Sequence, residues 1–278
     1  MRAGRAIGLI AGNRDLPLLV AAKARDLGLP LAAAGIEGEA DPALATLAHR
    51  FRTVKLGQMR ALVDFFLEAG VRDLMMIGGI DRETIILNYE PDEMFLALLE
   101  GLDDFQTDRI LRAVAGKLEE NGLALHAVTE LLPELLTPPG LLTRKAPGPE
   151  LTADLQLAWR IAKELGRLDV GQTAVVSDRI TLAAEAAEGT DDCVRRGAAL
   201  AGKPCAVAKV VKPMQDLRLD PPVIGPATVE VMAEAGVGAL VVDARHILIL
   251  DRERTIELAE KAGLAIVAWT DENQHRPA

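Results

Sequence analysis

The sequence predicts an α/β protein of two domains: an N-terminal Rossmann-like open sheet and a C-terminal mixed α/β domain. Three observations predict it. Short apolar runs alternate with stretches of helical period in both halves of the chain. Glycines stand where helices should end, at Gly28, Gly70 and Gly122. Four of the fifteen prolines fall within the fourteen residues 136–149, which suit neither a helix nor a central strand. The expected divisions are an N-terminal α/β domain at 1–135, a Pro/Gly linker at 136–149, and a C-terminal α/β domain at 150–278.

In the first half, residues 7–11 (IGLIA) form the unbroken apolar run of a buried parallel strand. Apolar residues then recur at helical spacing over 16–27, with Pro17 tolerated in a first turn and Gly28 as the stop. Further strands are expected at 31–34, 53–56 and 74–77, and helices at 59–69 and 109–120. In the second half, 151–165 reads as a helix and 173–177 and 180–184 as two strands. A strand at 205–211, a helix at 227–235, strands at 240–242 and 247–250, a helix at 252–262 and a strand at 265–269 complete the alternation.

Bulk properties narrow the function. The 278 residues are 50% hydrophobic and carry a net charge of −10, from 41 acids against 31 bases. An acidic chain with 3% aromatic residues lacks both the cations that neutralise nucleic acid phosphates and the rings that stack bases. No apolar stretch approaches the ~18–20 residues that cross a bilayer, and the run at 7–11 is too short for a signal peptide. The cytoplasm is the expected compartment. Cys193 and Cys205 fit no zinc spacing, the four histidines are scattered, and there is no G-x-S-x-G elbow, so two ordinary thiols are expected.

Four segments can carry chemistry. Gly12-Asn13, ahead of Leu16-Pro17, and Gly78-Gly79 each follow an expected strand, where backbone amides and a helix N-terminus can meet a phosphate. Glu185-Ala186-Ala187-Glu188-Gly189-Thr190-Asp191-Asp192 packs four carboxylates and a hydroxyl into eight residues. On its own it reads first as a solvated turn in which Thr190 or Asp191 caps a helix, and second as oxygen ligands for a hard divalent cation. Residues 209–226 hold four prolines within 213–226 around Lys212, Gln215, Asp216, Arg218 and Asp220. If 216–220 is extended, Asp216, Arg218 and Asp220 share one face. From 193 to 218 the bases Arg195, Arg196, Lys203, Lys209, Lys212 and Arg218 oppose Asp216 alone, a local +5 in an acidic chain. That patch suits a small polyanion.

These residues resemble the LpxI-type UDP-2,3-diacylglucosamine pyrophosphatases of lipid A biosynthesis. The resemblance rests on Leu168-Asp169-Val170-Gly171-Gln172, on the 185–191 segment, and on Lys212 to Asp220 running into Pro222-Val223-Ile224-Gly225. Gly12 with Leu16-Pro17, and Gly78-Gly79-Ile80, agree with it. The resemblance implies an active site between two α/β domains, the first nucleotide-binding-like and the second catalytic and lipid-binding. It implies divalent-metal-dependent hydrolysis of UDP-2,3-diacylglucosamine to UMP and 2,3-diacylglucosamine 1-phosphate (lipid X), with Mg²⁺ as first choice and Mn²⁺ as second.

The essential aspartate of the family falls on Asp220. On that basis Asp220, Asp216 and Arg218 are the expected catalytic residues, and Asp220, Asp191 and Asp216 the expected metal ligands. Gly12, Asn13, Leu16, Gly78, Gly79, Thr190, Arg196, Lys212 and Gln215 are the expected substrate contacts. A homodimer and peripheral contact with the cytoplasmic face of the inner membrane complete the expectation. The alternative is a nucleotide-sugar-binding or regulatory protein without hydrolysis, which explains the glycine loops but not the clustered carboxylates.

Overall fold

The structure is a computed structural model describing residues 6–81, 84, 87–104 and 106–272. The chain divides into two compact units. The first comprises Met1–Glu134 together with Asp216–Asp220, and the second Leu135–Gln215 together with Pro221–Ala278.

The first unit is built on five parallel strands in the order β3-β2-β1-β4-β5. They are β1 (Ile7–Ala11), β2 (Leu31–Ile36), β3 (Arg50–Val54), β4 (Asp73–Ile77) and β5 (Ala124–Leu125). Every residue of β1 and β2 is buried, as expected for strands covered on both faces. The helices are α1 (Leu16–Asp26), α2 (Leu44–Leu47), α3 (Met59–Glu68), α4 (Glu93–Glu100) and α5 (Thr107–Glu120). On α3, Met59, Leu62, Val63 and Phe66 recur at helical spacing and are buried.

Two departures from the expectation have local causes. The third strand begins at Arg50, not at Thr53, and most of its side chains are exposed. It is the edge strand, paired with β2 alone, so its ladder needs no apolar run. The unforeseen α4 is started by Asp92, whose side chain accepts from the Phe95 amide at 2.9 Å.

The second unit carries a six-stranded mixed sheet in the order β6-β13-β11-β9-β7-β8. Its strands are β6 (Gly140–Leu141), β7 (Thr173–Ser177), β8 (Ile180–Ala184), β9 (Ala206–Lys209), β11 (Ala239–Asp243) and β13 (Ala265–Trp269). Strands β9, β11 and β13 are parallel, while β6, β7 and β8 each pair antiparallel with their neighbours. β10 (Val223–Ile224) and β12 (Leu248–Ile249) form a separate parallel pair. The helices are α6 (Pro149–Arg167), α7 (Thr190–Ala201), α8 (Pro226–Glu234) and α9 (Arg252–Ala262).

Each sheet face has its own core. One gathers Val175, Cys193, Val207, Val229, Leu240 and Ile266. The other gathers Leu155, Trp159, Val176, Val241 and Trp269. Trp159 and Trp269 meet edge to face with ring centroids 5.8 Å apart.

Residues 136–149, expected as a linker, are part of this second fold. Thr137 donates both its amide and its hydroxyl to the Ile247 carbonyl, and β6 pairs with β13. Prolines bar a central strand but not a short edge strand, and β6 lies at the sheet edge.

Burial explains the two cysteines. It pushes the Cys193 thiol up to about 12 and the Cys205 thiol up to about 11. Both should therefore stay protonated and inert at pH 8. The native protein is expected to resist a thiol-specific disulfide reagent at that pH and to react with two equivalents once unfolded; rapid labelling of the native form would contradict this. Among the described residues no helix is long and apolar enough to cross a membrane.

Candidate functional site

The exits of β1 and β4 meet at the carboxyl edge of the first sheet. The Gly12 amide donates to the Ile77 carbonyl and the Asn13 amide to the Gly79 carbonyl, both at 2.9 Å. The approach is too close for side chains. A Cβ on Gly12 would lie 2.1 Å from the Gly79 carbonyl oxygen, and one on Gly78, whose φ is +95°, would lie 2.7 Å from that of Asn13. Gly12→Ala is thus expected to lower stability by about 1–3 kcal/mol or more, because backbone must shift. A thermal melt of the variant measures it, and an unchanged midpoint would contradict it.

Asn13 is fixed by charge. Its side-chain amide donates to Glu39 Oε2 at 2.7 Å and to Asp81 Oδ1 at 3.0 Å. Glu39 Oε1 in turn accepts from the Asp81 amide at 2.8 Å. Asn13 Oδ1 is buried and, among the described residues, meets no hydrogen-bond donor. Leu16, a proposed substrate contact, opens α1 with its side chain buried.

The second constellation is the Asp216–Asp220 segment, which belongs to the first unit although it lies far along the chain. It is a tight turn and not a strand: the amides of Leu219 and Asp220 both donate to the Asp216 carbonyl, at 2.9 and 3.2 Å. The extended face anticipated for Asp216, Arg218 and Asp220 is therefore absent. The turn instead lets Arg218 fold back on Asp216. Arg218 Nε donates to Asp216 Oδ1 at 3.0 Å and Nη2 to Oδ2 at 2.7 Å. Arg218 Nη1 also donates to Glu119 Oε1 on α5 at 2.8 Å. The Arg218 hydrogen bonds hold the Asp216 carboxyl below the usual carboxylate range, and Asp216 and Glu119 raise the guanidinium. Leu219 is buried in the apolar cluster of the first unit. Asp220 is exposed.

The second unit places its polar residues at one end of the mixed sheet. Thr173, which opens β7, is paired in register with Lys209, which closes β9. Glu185, just past β8, is buried and accepts from the Thr190 hydroxyl and the Gln172 amide, each at 3.2 Å. Thr173 and Thr190 share a further hydrogen bond. Gly171 permits this packing, since its Cβ would fall 2.2 Å from the Glu185 carbonyl oxygen.

Neither Thr190 nor Asp191 caps α7 as anticipated. The N-cap is Gly189, at φ +84°, and Asp191 stands exposed in the first turn, where its charge suits the helix dipole. Arg196 binds the Ala184 carbonyl and Glu188, and the Glu188 contact raises its guanidinium. Lys212 Nζ donates to Asp169 at 2.7 Å, and Gln215 Oε1 accepts from the Lys212 amide. At the end of β11, buried Asp243 accepts from Lys163 at 2.5 Å and from the Val211 amide at 3.3 Å.

Glu39, Asp81, Glu119, Lys163 and Asp243 were not singled out by the sequence. An acid shortly after the second strand of a Rossmann-like sheet was a usable signal for Glu39. The others become visible only through contacts distant in the chain. Among the described residues no three His, Cys, Asp or Glu side chains are grouped to hold a metal ion.

The sequence matches the LpxI N-terminal domain over residues 6–135 and the LpxI C-terminal domain over 138–267. The chain belongs to the LpxI family. An LpxI relative from Caulobacter vibrioides, named UDP-2,3-diacylglucosamine pyrophosphatase LpxI, is 33% identical over 284 residues, covering 98% of this chain and 100% of the relative. Solved structures give weaker likenesses. The biotin carboxylase subunit of pyruvate carboxylase is similar over 61% of this chain and 34% of that one, at 17% identity and a TM-score of 0.27. The biotin carboxylase domain of Hydrogenobacter thermophilus 2-oxoglutarate carboxylase is similar over 63% and 35%, at 17% identity and a TM-score of 0.24. The chain thus spans about a third of the length of each.

Proposed function

We propose that the chain hydrolyses the pyrophosphate bond of UDP-2,3-diacylglucosamine, giving UMP and 2,3-diacylglucosamine 1-phosphate in lipid A biosynthesis. The observation that carries this reading is the end-to-end similarity to a relative named for that activity. In the reaction a water oxygen bonds to one phosphorus, the bridging P–O bond breaks, and the bridging oxygen leaves with the other phosphoryl group.

Mg²⁺ takes few protein carboxylates and completes its shell with water and phosphate oxygens. Asp220, exposed at the end of its turn, fits such a ligand, and exposed Asp191 is the second candidate. Asp216 fits less well, because both of its oxygens accept from Arg218. We assign it instead to positioning that guanidinium. When bound, the ion supplies charge neutralisation and an acidified water. Arg218, Lys212 and Arg196 offer cationic donors to phosphate oxygens, and Thr190 and Gln215 polar contacts. The diacylated substrate of this reading resides in a bilayer, which supports contact with the cytoplasmic face of the inner membrane. Homodimers are the commonest assemblies, and a homodimer is part of the proposal.

The test incubates the protein with UDP-2,3-diacylglucosamine and Mg²⁺, with Mn²⁺, or with EDTA. Equal release of UMP and lipid X that EDTA abolishes is the expected result. Binding without release under both metals would favour the non-hydrolytic alternative.

A further inference from the structure

We infer that Glu39 is a specificity residue for the nucleoside half of the substrate, its carboxylate accepting hydrogen bonds from the vicinal 2′- and 3′-hydroxyls of the ribose. The inference rests on the proposed function for the nucleotide, but on residues separate from those assigned to hydrolysis.

In a doubly wound sheet, ligands gather outside the carboxyl ends of the strands where the strand order reverses. In the order β3-β2-β1-β4-β5 that point lies between β1 and β4. Asn13 leaves β1, Asp81 follows the exit of β4, and Glu39 stands three residues past the end of β2. Glu39 bonds to both of the others, so one carboxylate ties together the exits of three adjacent parallel strands. Each of its oxygens is shown accepting one hydrogen bond, and a carboxylate oxygen has two lone pairs. The carboxylate is therefore fixed in place before a ligand arrives and retains acceptor capacity on both oxygens.

The chemistry of the corner selects the ligand group. The Asn13 side-chain amide spends both hydrogens on Glu39 and Asp81. Glu39 and Asp81 add two carboxylates, which repel a phosphate. The glycine exits beside them are thus better suited to a neutral group that brings its own donors than to the pyrophosphate. Two adjacent hydroxyls match the two oxygens of one carboxylate. In UDP-2,3-diacylglucosamine the sugar positions 2 and 3 are acylated, which leaves the ribose as the one vicinal diol in the molecule. Glu39 then distinguishes a ribonucleotide from its deoxy counterpart, because the deoxy form leaves an ordered carboxylate oxygen without its donor.

Calorimetric titration of the native protein and of Glu39→Gln with UDP and with 2′-deoxy-UDP tests this. The native protein should bind UDP about 10- to 100-fold more tightly than 2′-deoxy-UDP, the range for a hydrogen bond to a charged group. Glu39→Gln should bind the two within about 3-fold of each other. A purely structural clamp would weaken both nucleotides together and leave their ratio intact, and that result overturns the inference. Equal affinity of the native protein for the two does so as well. Should Glu39→Gln not fold, Glu39→Asp keeps the charge but withdraws it from the ribose, and retention of the full native ratio in that variant is equally decisive against it. If the native protein binds neither nucleotide, the proposed function fails and the inference with it. If UDP binds without discrimination, the inference alone fails.

Discussion

Asp220→Asn is expected to cut UMP release by on the order of 10²–10⁴-fold while leaving the fold unchanged, the scale lost when a group acting at the reacting water is removed. The side chain is exposed, so the substitution opens no cavity. Its backbone amide, which closes the turn on the Asp216 carbonyl, is retained. Asn has nearly the same shape but no charge, and a neutral amide is a poor ligand for a hard cation and a poor acceptor for a proton. Turnover of UDP-2,3-diacylglucosamine, read as UMP by chromatography, gives the activity, and a thermal melt gives the fold. Turnover within threefold of the native enzyme would remove Asp220 from the chemistry and return the assignment to the other acids.

Leu219→Ala should be costly for a different reason. Leu219 is buried in the cluster that includes Phe66, Leu118 and Leu123, and truncating such a side chain costs about 2–5 kcal/mol. It is also the apolar anchor of the turn that carries Arg218 and Asp220. The expected result is a lowered melting temperature together with at least tenfold slower UMP release, measured well below that temperature, although no group proposed to touch phosphate has changed. Arg218 should remain attached through Glu119 and Asp216, so the loss should be partial and smaller than for Asp220→Asn. A destabilised variant with native turnover would show that the turn holds its geometry without this anchor.

The central strands were legible because burial on both faces writes itself into sequence as an unbroken apolar run. β1, β7 and β13 begin and end at the expected residues, as do α9 and the edge strand β8, which was found from its apolar run ITLAA although only one of its five residues is buried. What escaped has the opposite character. β3 and β6 are edge strands, one rich in charge and one framed by prolines, and neither needs an apolar signature. The site was half legible. The Gly12 and Gly78 loops were found, but their glycines serve first to let two backbones touch. Asp216 and Arg218 were found together, yet a period-two reading put them side by side on a strand, whereas a turn makes them partners. Glu39 reaches Asn13 across 26 residues and Glu119 reaches Arg218 across 99, and no spacing rule connects such pairs.

The return of Asp216–Asp220 to the first unit also bears on the order in which the chain acquires its structure. During synthesis the main body of that unit ends at Glu134, and its last piece follows about 80 residues later. At 5–20 residues per second the wait is roughly 4–16 s. Throughout it, the surface that will receive Leu219 is bare apolar ground, and the second unit cannot close its own chain until the segment has been delivered. The nascent protein should therefore pass through a long-lived, incompletely sealed intermediate, and the first 134 residues made as a separate polypeptide should lack the segment that completes their unit, while the remainder carries that segment without the surface that receives it.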